Sequence, residues 1–274
     1  MRYDFAIIGS GFGGSVSALR LCEKGYRVLL LEKGRRFAPT DFPKSNWDLR
    51  RWMWMPELGM RGLFKMTFLP HVTVVHGVGY GGGSLVYANT LPVPKKSFFQ
   101  ASSWAGLANW ESELSPHYAT AKRMLGATSN PHFTRIDDVF KKIAGDIGRK
   151  DSFQPVDVAV YFGEKTKTGE PGPLGKTVPD PFFSGLGPER TSCVLCGGCM
   201  LGCRFGAKNT LDKNYLHLAE RLGLDVHTEA EVTHVAPLAG SADGSSGYRI
   251  EVLEPDAGSP DPLTDSPLKK THVY

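Results

Sequence analysis

Tyr3-Asp-Phe-Ala-Ile-Ile8 runs directly into Gly9-Ser-Gly-Phe-Gly-Gly14. A short apolar run of strand formers thus opens into a glycine-rich turn. From Ser15 to Lys24 the periodicity changes. Ser15, Ala18, Leu19 and Cys22 recur at i, i+3, i+4 and i+7, while Arg20, Glu23 and Lys24 fall on the other side. Gly25 stands where a helix C-terminal glycine belongs. Tyr26-Arg-Val-Leu-Leu-Leu31 then reads as a second buried strand ending at Glu32. Strand, turn, helix and strand make a βαβ opening, and Gly9, Gly11 and Gly14 occupy the G-x-G-x-x-G spacing within it. Gly9 permits the tight turn, Gly11 lets a pyrophosphate approach the backbone, and Gly14 lets helix and strand pack closely. The helix N-terminus offers its amides to phosphate. Glu32, 23 residues beyond Gly9, is placed to accept hydrogen bonds from a ribose diol. The fingerprint does not by itself separate FAD from NAD. Arg35 and Arg36 would suit a 2′-phosphate, but Glu32 would repel one, so both are expected in a solvated loop.

Further along, His76-Gly-Val-Gly-Tyr-Gly-Gly-Gly83 forms a second glycine cluster, followed by Ser84-Leu-Val-Tyr-Ala-Asn89. Missing side chains there would let a flat ring system lie on the backbone. Glu111 to Leu125 and Asp137 to Ile147 read as amphipathic helices, and residues 163–192 as a Gly-, Pro- and Lys-rich excursion. Thr210 to Leu222 is an expected helix closed by Gly223. Leu224 to Val235 and Tyr248 to Leu253 are expected strands, and Pro255 to Pro267 an expected loop. Between residues 41 and 75, Trp47, Trp52, Met53, Trp54, Met55, Met60 and Met66 interleave with Arg50, Arg51 and Arg61. This stripe reads as core or subunit contact with arginine stems at its rim; a lid over an apolar substrate and a membrane-touching patch are the alternatives. There is no internal repeat.

The 274 residues are 41% hydrophobic and 22% charged, the balance of a globular protein. A net charge of +4 without a dense Lys/Arg block gives no reason to expect a nucleic-acid partner. No run of 18 apolar residues suggests a transmembrane segment. A strand two residues from the start leaves no room for a signal peptide, so a cytoplasmic location is expected. Four of the five cysteines, Cys193, Cys196, Cys199 and Cys203, are spaced C-x2-C-x2-C-x3-C. That is the bacterial ferredoxin run for an iron–sulfur cluster, and Gly197, Gly198 and Gly202 would let the loop wrap one. Arg204 stands where that run continues with proline. The alternative is a compact loop of redox-inert thiols. Cys22 is expected in the core. The eight histidines are scattered, and none joins a recognisable nucleophile motif.

The succession "IIGSGFGGSVSALRL", "WDLRRWMWMPELG", "GVGYGGGSLVYANTLPVP", "LSPHYATAKRMLG" and "GAKNTLDKNYL" resembles the glucose–methanol–choline (GMC) oxidoreductases, most closely their cholesterol-oxidase-like branch. The likeness runs from about residue 3 to about residue 253. It implies an α/β fold, an FAD-binding Rossmann-like domain with helical and loop insertions, incomplete at the C-terminus. Residues 1–40 would form the first βαβ of that domain. Residues 41–205 would be a flavin-covering segment with helices and the Cys-rich insertion, and residues 206–274 a truncated return to the FAD-binding domain. The resemblance places Phe12 and Gly13 over the pyrophosphate, Glu32 on the adenosine ribose, and Gly83, Ala88 and Asn89 along the flavin. It places the backbone of Val232 against the adenine. Tyr87 and Thr90 depart from the Asn and Met usual in related sterol oxidases. The implied activity is FAD-dependent oxidation of a CH–OH group, a 3β-hydroxysterol becoming a ketone. The implied partners are a small-molecule alcohol or sterol and, as electron acceptor, O2 or a redox protein. An FAD/iron–sulfur alcohol or sugar dehydrogenase, or a catalytically incomplete FAD-binding fragment, are the alternatives. The family's base is a histidine of the C-terminal half, so no catalytic residue is expected here, and the sheet begun at Tyr3 is expected to stay open.

Overall fold

The computed structural model describes residues 2–167, 169–238, 243–254 and 269–273, the last five as backbone. The loop expected over Pro255–Pro267 lies outside the described residues. In chain order the elements begin with β1 (Phe5–Ile8), α1 (Phe12–Glu23), β2 (Val28–Glu32), α2 (Leu49–Trp52), β3 (Trp54–Met55), β4 (Met60–Arg61), β5 (Phe64–Phe68) and β6 (Thr73–Gly77). There follow α3 (Lys96–Phe99), α4 (Trp110–Met124), β7 (Thr128–Ser129), α5 (Arg135–Asp146), β8 (Asp157–Val158), β9 (Thr177–Val178) and β10 (Arg190–Thr191). The chain continues with α6 (Tyr215–Arg221), β11 (Asp225–Thr228), β12 (Glu231–Pro237), β13 (Tyr248–Glu254) and β14 (Lys269–Val273). Two compact units divide them. The first comprises Met1–Tyr87, Gly197–Arg204 and Thr210–Tyr274, the second Ala88–Cys196 and Phe205–Asn209.

In the first unit β1, β2 and β11 form a parallel sheet with β2 at its centre. Phe5 pairs with Val28 and Ile8 with Leu31, while Asp225 and Thr228 of β11 pair with Leu29 and Glu32. All five residues of β2 are buried, as a continuous apolar run at the centre of a parallel sheet requires. Burying each leucine there contributes about 1.5–3 kcal/mol. Helix α1 makes the crossover and buries Ser15, Ala18, Leu19 and Cys22, the face that the periodicity marks. It starts at Phe12, three residues before the apolar period begins, because glycines carry no hydrophobic signal. Behind the sheet β12, β13 and β14 form an antiparallel one. Leu29, Leu31, Ala230, Ile250 and Val252 make the shared core, with Tyr3 and Val232 packed against it.

Two sequence expectations are corrected here. Leu224–Val235 is two strands in two sheets, because Glu229 takes a left-handed φ of 58° and turns the chain between β11 and β12. Thr210–Leu222 is a short 3-10 turn over Leu211–Lys213 followed by α6, broken at Asn214 with φ −138° and ψ −96°. The Asn214 side chain caps the restart, accepting from the Tyr215 amide at 2.7 Å. The Trp/Met stripe also divides. Trp52 packs onto a core of Phe42, Leu63, Phe64, Leu85 and Val86, and Trp54 is buried, whereas Trp47 is 88% exposed.

The β1 side of the parallel sheet is different in character. Its sequence, FAII, is as apolar as that of β2, yet Phe5 is 42% and Ile8 55% exposed, and Phe12 and Val16 at the start of α1 are also exposed.

The second unit is built from α3, α4, α5 and the small strand pairs β7/β8 and β9/β10. Asn109 caps α4 by accepting from the Ser112 amide, and Thr134 and Asp137 form a reciprocal capping box on α5. Arg190 is buried and donates from Nη2 to the carbonyls of Ala207 and Lys208 at 3.0 and 2.9 Å. It thereby holds the 205–209 return segment. The 163–192 excursion is organised on Asp180, whose carboxylate accepts from the amides of Phe182, Phe183, Gly185 and Gly187 at 2.9–3.0 Å. Burial pushes the Asp180 pKa up, but these four donors outweigh it and hold the carboxyl below its ordinary value. A depressed carboxylate pKa adds stability that is present above the unfolded-state pKa of about 3.9 and is lost as pH falls through the folded one. Acid titration is therefore expected to destabilise the protein below about pH 4, and Asp180→Ala to flatten that part of the profile. Thermal melts of both proteins from neutral pH to pH 3 check this; superimposable profiles would refute it.

Candidate dinucleotide site

The end of β1, the start of α1 and the end of β2 build one site in the first unit. Gly9 turns the chain with φ +90°, and Gly11 is the extended residue before α1, with no side-chain cap. The first turn of α1 carries no acidic residue. Its amides at Phe12, Gly13 and Gly14 precede the helical ladder and point out of its N-terminus. A Cβ at Gly9, Gly11 or Gly13 would meet nothing within 4 Å, so a cradle is open above the loop. A Cβ on Gly14 would lie 1.9 Å from the carbonyl oxygen of Gly9, so this glycine serves helix–strand packing. These are the roles expected from the motif.

Glu32 is 5% exposed. Its carboxylate accepts from the Ser10 amide at 2.9 Å, the Ser10 hydroxyl at 2.6 Å and the Gly34 amide at 2.8 Å. Three local donors hold it in place. Two oxygens offer about four acceptor positions, so capacity remains for a ribose hydroxyl.

The second glycine cluster lies against this loop. A Cβ on Gly82 would fall 2.7 Å from the Cα of Gly11, and one on Gly34 would fall 2.2 Å from the amide nitrogen of Gly79. Ser10 links the two clusters. It is fully buried, its hydroxyl accepts from the Gly81 amide at 2.9 Å, and it lies 3.3 Å from the Gly79 carbonyl. Gly83 continues the layer beside Phe12, whose ring meets that of Tyr87 edge-on at 5.9 Å. Ser84, also fully buried, donates to the Gly81 carbonyl and accepts from the Leu211 amide. Val232 sits in β12 opposite Val252. Ala88 and Asn89 belong to the second unit, where Asn89 is buried with φ 58° and its carbonyl accepts from the Ala159 amide at 2.8 Å.

Several of these residues were not marked by the sequence. Ser10 occupies a position that the G-x-G-x-x-G motif leaves unspecified. Tyr80 is buried, its hydroxyl donates to the Glu220 carboxylate of α6, and the Arg36 guanidinium stacks 3.9 Å from its ring centre while pairing with Glu220 at 3.0 Å. Burial and the Glu220 hydrogen bond push the phenol well above its ordinary range, so Tyr80 stays a neutral donor. Both arginines lie in a loop, as expected, with Arg36 exposed; Arg36 nonetheless braces the glycine segment, and Arg35 stacks on Phe37 at 4.7 Å. Removing the Ser10 hydroxyl, in Ser10→Ala, leaves the Gly81 amide without its acceptor and Glu32 without one donor. A loss of about 1–3 kcal/mol in urea unfolding is expected, and an unchanged midpoint would dismiss Ser10 as the link.

The iron–sulfur expectation is not carried by the structure. Among the described residues no group of three or more His, Cys, Asp or Glu side chains is placed to hold a metal ion. Cys193 and Cys196 belong to the second unit, Cys199 and Cys203 to the first, and Cys196 is exposed. Gly197 and Gly202, with φ 69° and 84°, turn the backbone on either side of a 3-10 turn at Cys199–Leu201. Cys22 is buried as expected, and burial raises its thiol pKa. The second unit holds a cavity of about 580 Å³ between Tyr161, Phe162, Phe182 and Phe133, and none of the residues expected to hold a cofactor or metal lines it. Among the described residues no helix is long and apolar enough to cross a membrane.

Fold and loop together define a Rossmann-type dinucleotide-binding unit. Residues 7–72 match the family model of an NAD(P)-binding Rossmann-like domain. The chain is 51% identical over 248 residues to a cholesterol oxidase of Acinetobacter baumannii, covering 90% of this chain and 44% of that protein. It is 54% identical over 225 residues to a cholesterol oxidase of Mycobacterium tuberculosis, covering 82% and 38%. A GMC-type oxidoreductase of M. tuberculosis without an assigned function is 25% identical over 97% of this chain and 36% of its own length. The crystal structure of a pyridoxine 4-oxidase superposes with a TM-score of 0.50 at 18% identity, covering 92% of this chain and 46% of that one, a likeness of fold. Over most of its length the chain is thus similar to cholesterol oxidases and, more distantly, to a GMC-type oxidoreductase, and it spans less than half the length of these curated relatives. The open cradle, the glycine layer and these relatives support a flavin as the dinucleotide.

Proposed function

We propose that this chain provides the FAD-binding portion of an oxidoreductase that oxidises the 3β-hydroxyl of a cholesterol-like sterol to a ketone, with O2 as acceptor. The observation that carries the flavin reading is the closure of the second glycine cluster onto the first through Ser10, which leaves a side-chain-free surface beside the open phosphate cradle. The identity to two cholesterol oxidases supports the substrate. In this reading the amides of Phe12, Gly13 and Gly14 hold the pyrophosphate, and Glu32 accepts from the ribose. Gly83, Ala88 and Asn89 line the ring system, and the backbone of Val232 meets the adenine. When bound, the flavin supplies the hydride acceptor. The chain's own part is to hold and orient it: Ser10 and Gly34 keep Glu32 aimed, while Tyr80, Glu220 and Arg36 hold the glycine layer. No residue of this chain is assigned as the base that takes the alcohol proton.

The test is reconstitution of the purified chain with FAD, NAD and NADP in parallel, followed by absorbance and flavin-fluorescence titration. Saturable FAD binding that Gly13→Ala weakens at least tenfold is expected. Binding of NADP in preference to FAD, or of neither, would end the flavin reading. Peroxide release with cholesterol, measured against a short aliphatic alcohol in a preparation that includes the rest of a GMC polypeptide, separately tests the substrate.

A further inference from the structure

We propose that the cavity of the second unit is a binding site for an organic anion, a molecule with an apolar body and one carboxylate head, separate from the dinucleotide site. The proposal rests on neither the flavin nor the sterol.

Three observations carry it. The first is that the cavity is built. Its volume of about 580 Å³ falls within the roughly 300–1,000 Å³ usual for small-molecule sites. The wall at Tyr161 is fixed by its backbone, whose amide donates to the Ala207 carbonyl at 2.8 Å and whose carbonyl accepts from the Cys193 amide at 2.9 Å. The Tyr161 ring meets that of Phe182 edge-on at 5.8 Å, and Phe162 lies 5.6 Å from the ring of His132. Phe182 is anchored in the Asp180 turn, to whose carboxylate its amide donates at 2.9 Å. Gly126, with φ +55°, lets Phe182 come close, since a Cβ there would lie 2.6 Å from that ring. The second observation is charge. Lys122, Arg123 and Lys165 line the cavity, and its lining residues include no Asp or Glu. Lys122 is paired with Asp157 at 2.7 Å. Arg123 and Lys165 form no ion pair among the described residues. The third is the separation of apolar from polar. Val160, Tyr161 and Phe162 are buried, whereas Arg123, Thr128, Ser129, Asn130 and Lys165 are exposed. The interior is thus apolar and the mouth is cationic.

The occupant follows from the same chemistry. Cations in the last turn of a helix meet its negative end favourably, which accounts for Lys122 and Arg123 on α4 without any ligand. Lys165 belongs to no helix and has no such partner. A neutral alcohol offers nothing to two unpaired cations, and a bare phosphate nothing to the aromatic walls. A carboxylate on an apolar body satisfies both, since charge-assisted hydrogen bonds from a guanidinium or ammonium to a carboxylate are the strong ones.

The experiment titrates the purified chain with dodecanoate, dodecanol and inorganic phosphate, read by calorimetry and by amide NMR shifts. Dodecanoate is expected to bind saturably, at least tenfold more tightly than dodecanol, and to shift the amides of Gly126 and Gly163, which line the cavity. Phosphate is expected to leave both amides where they are. Raising the ionic strength from about 0.01 to about 1 M shortens the screening length from roughly 30 to roughly 3 Å; this is expected to weaken dodecanoate but not dodecanol. Arg123→Gln combined with Lys165→Gln is expected to weaken dodecanoate tenfold or more, while Arg249→Gln, at an exposed cation of β13, leaves it unchanged. The comparison of the three probes uses no variant, so misfolding of the double variant does not shield the proposal. Equal affinity for dodecanoate and dodecanol, binding of phosphate alone at these amides, saturation that leaves Gly126 and Gly163 unshifted, or no binding would each overturn it. No flavin or sterol enters the titration, so failure of either reading leaves the result interpretable.

Discussion

Gly14→Ala is expected to destabilise the protein by about 3 kcal/mol or more and to abolish flavin binding. The added methyl would sit 1.9 Å from the Gly9 carbonyl oxygen, 3.1 Å from its carbon and 3.2 Å from a methyl of Ile7. Two of these three neighbours are backbone, so no rotamer change relieves the clash. Relief requires α1 to move away from β1, and that movement carries the Phe12 and Gly13 amides away from the phosphate position. Gly13→Ala is the control. Its methyl would meet nothing within 4 Å and its backbone is not left-handed, so helix propensity predicts a gain of up to about 1 kcal/mol. The same methyl fills the cradle, and flavin affinity falls. Urea unfolding and flavin titration on the two variants thus give opposite patterns: stability and binding lost together for Gly14, binding alone for Gly13. A wild-type unfolding midpoint for Gly14→Ala would show that helix and strand are not packed as described.

Glu32→Ala is expected to be nearly as costly. It removes the acceptor from the Ser10 amide, the Ser10 hydroxyl and the Gly34 amide, all in buried surroundings. A buried donor left unsatisfied costs about 1–3 kcal/mol, so the loss of this acceptor set is expected to reach about 3 kcal/mol. Glu32→Gln keeps one acceptor oxygen but turns an amide NH2 toward other donors, and an intermediate loss follows. The conventional role of this carboxylate, binding ribose, would predict lost affinity with unchanged stability. Chemical denaturation without cofactor therefore separates the two. Equal midpoints for wild type and Glu32→Ala would leave Glu32 with a ligand role alone.

The sequence made the βαβ opening legible because each physical demand there falls on one residue type. Only glycine satisfies the positive φ at Gly9 and the close approach at Gly14, and β2 is apolar at four consecutive positions. The Ser15–Cys22 face was readable for the same reason. What escaped reading was pairwise. Ser10 becomes a linker only because Gly81 folds onto it, some seventy residues later in the chain, and no local pattern encodes that. Glu229 looks like any surface glutamate, yet its left-handed backbone splits one expected strand into two. Asn214 similarly divides an expected helix, where an unbroken apolar period over Leu211, Tyr215 and Leu216 hides the change in backbone. The cysteine run shows the opposite failure. Its spacing is eye-catching, but spacing constrains thiols only where the backbone curls them toward one point, and among the described residues no three of them are placed to hold a metal ion.

The parallel sheet joins neighbours that differ greatly in sequence distance. Strands β1 and β2 pair across 23 residues, whereas Leu29 of β2 waits for Asp225, about 200 residues later. Closing that longer loop carries an entropic cost about 2 kcal/mol greater. During synthesis at roughly 5–20 residues per second, β2 thus stands beside one partner for on the order of ten seconds or more before the other emerges. Through that interval one edge of this apolar strand stays uncovered. The second unit is translated within this gap. The order of the strands therefore sets a schedule as well as a shape: the sheet is complete only after β11 has been made.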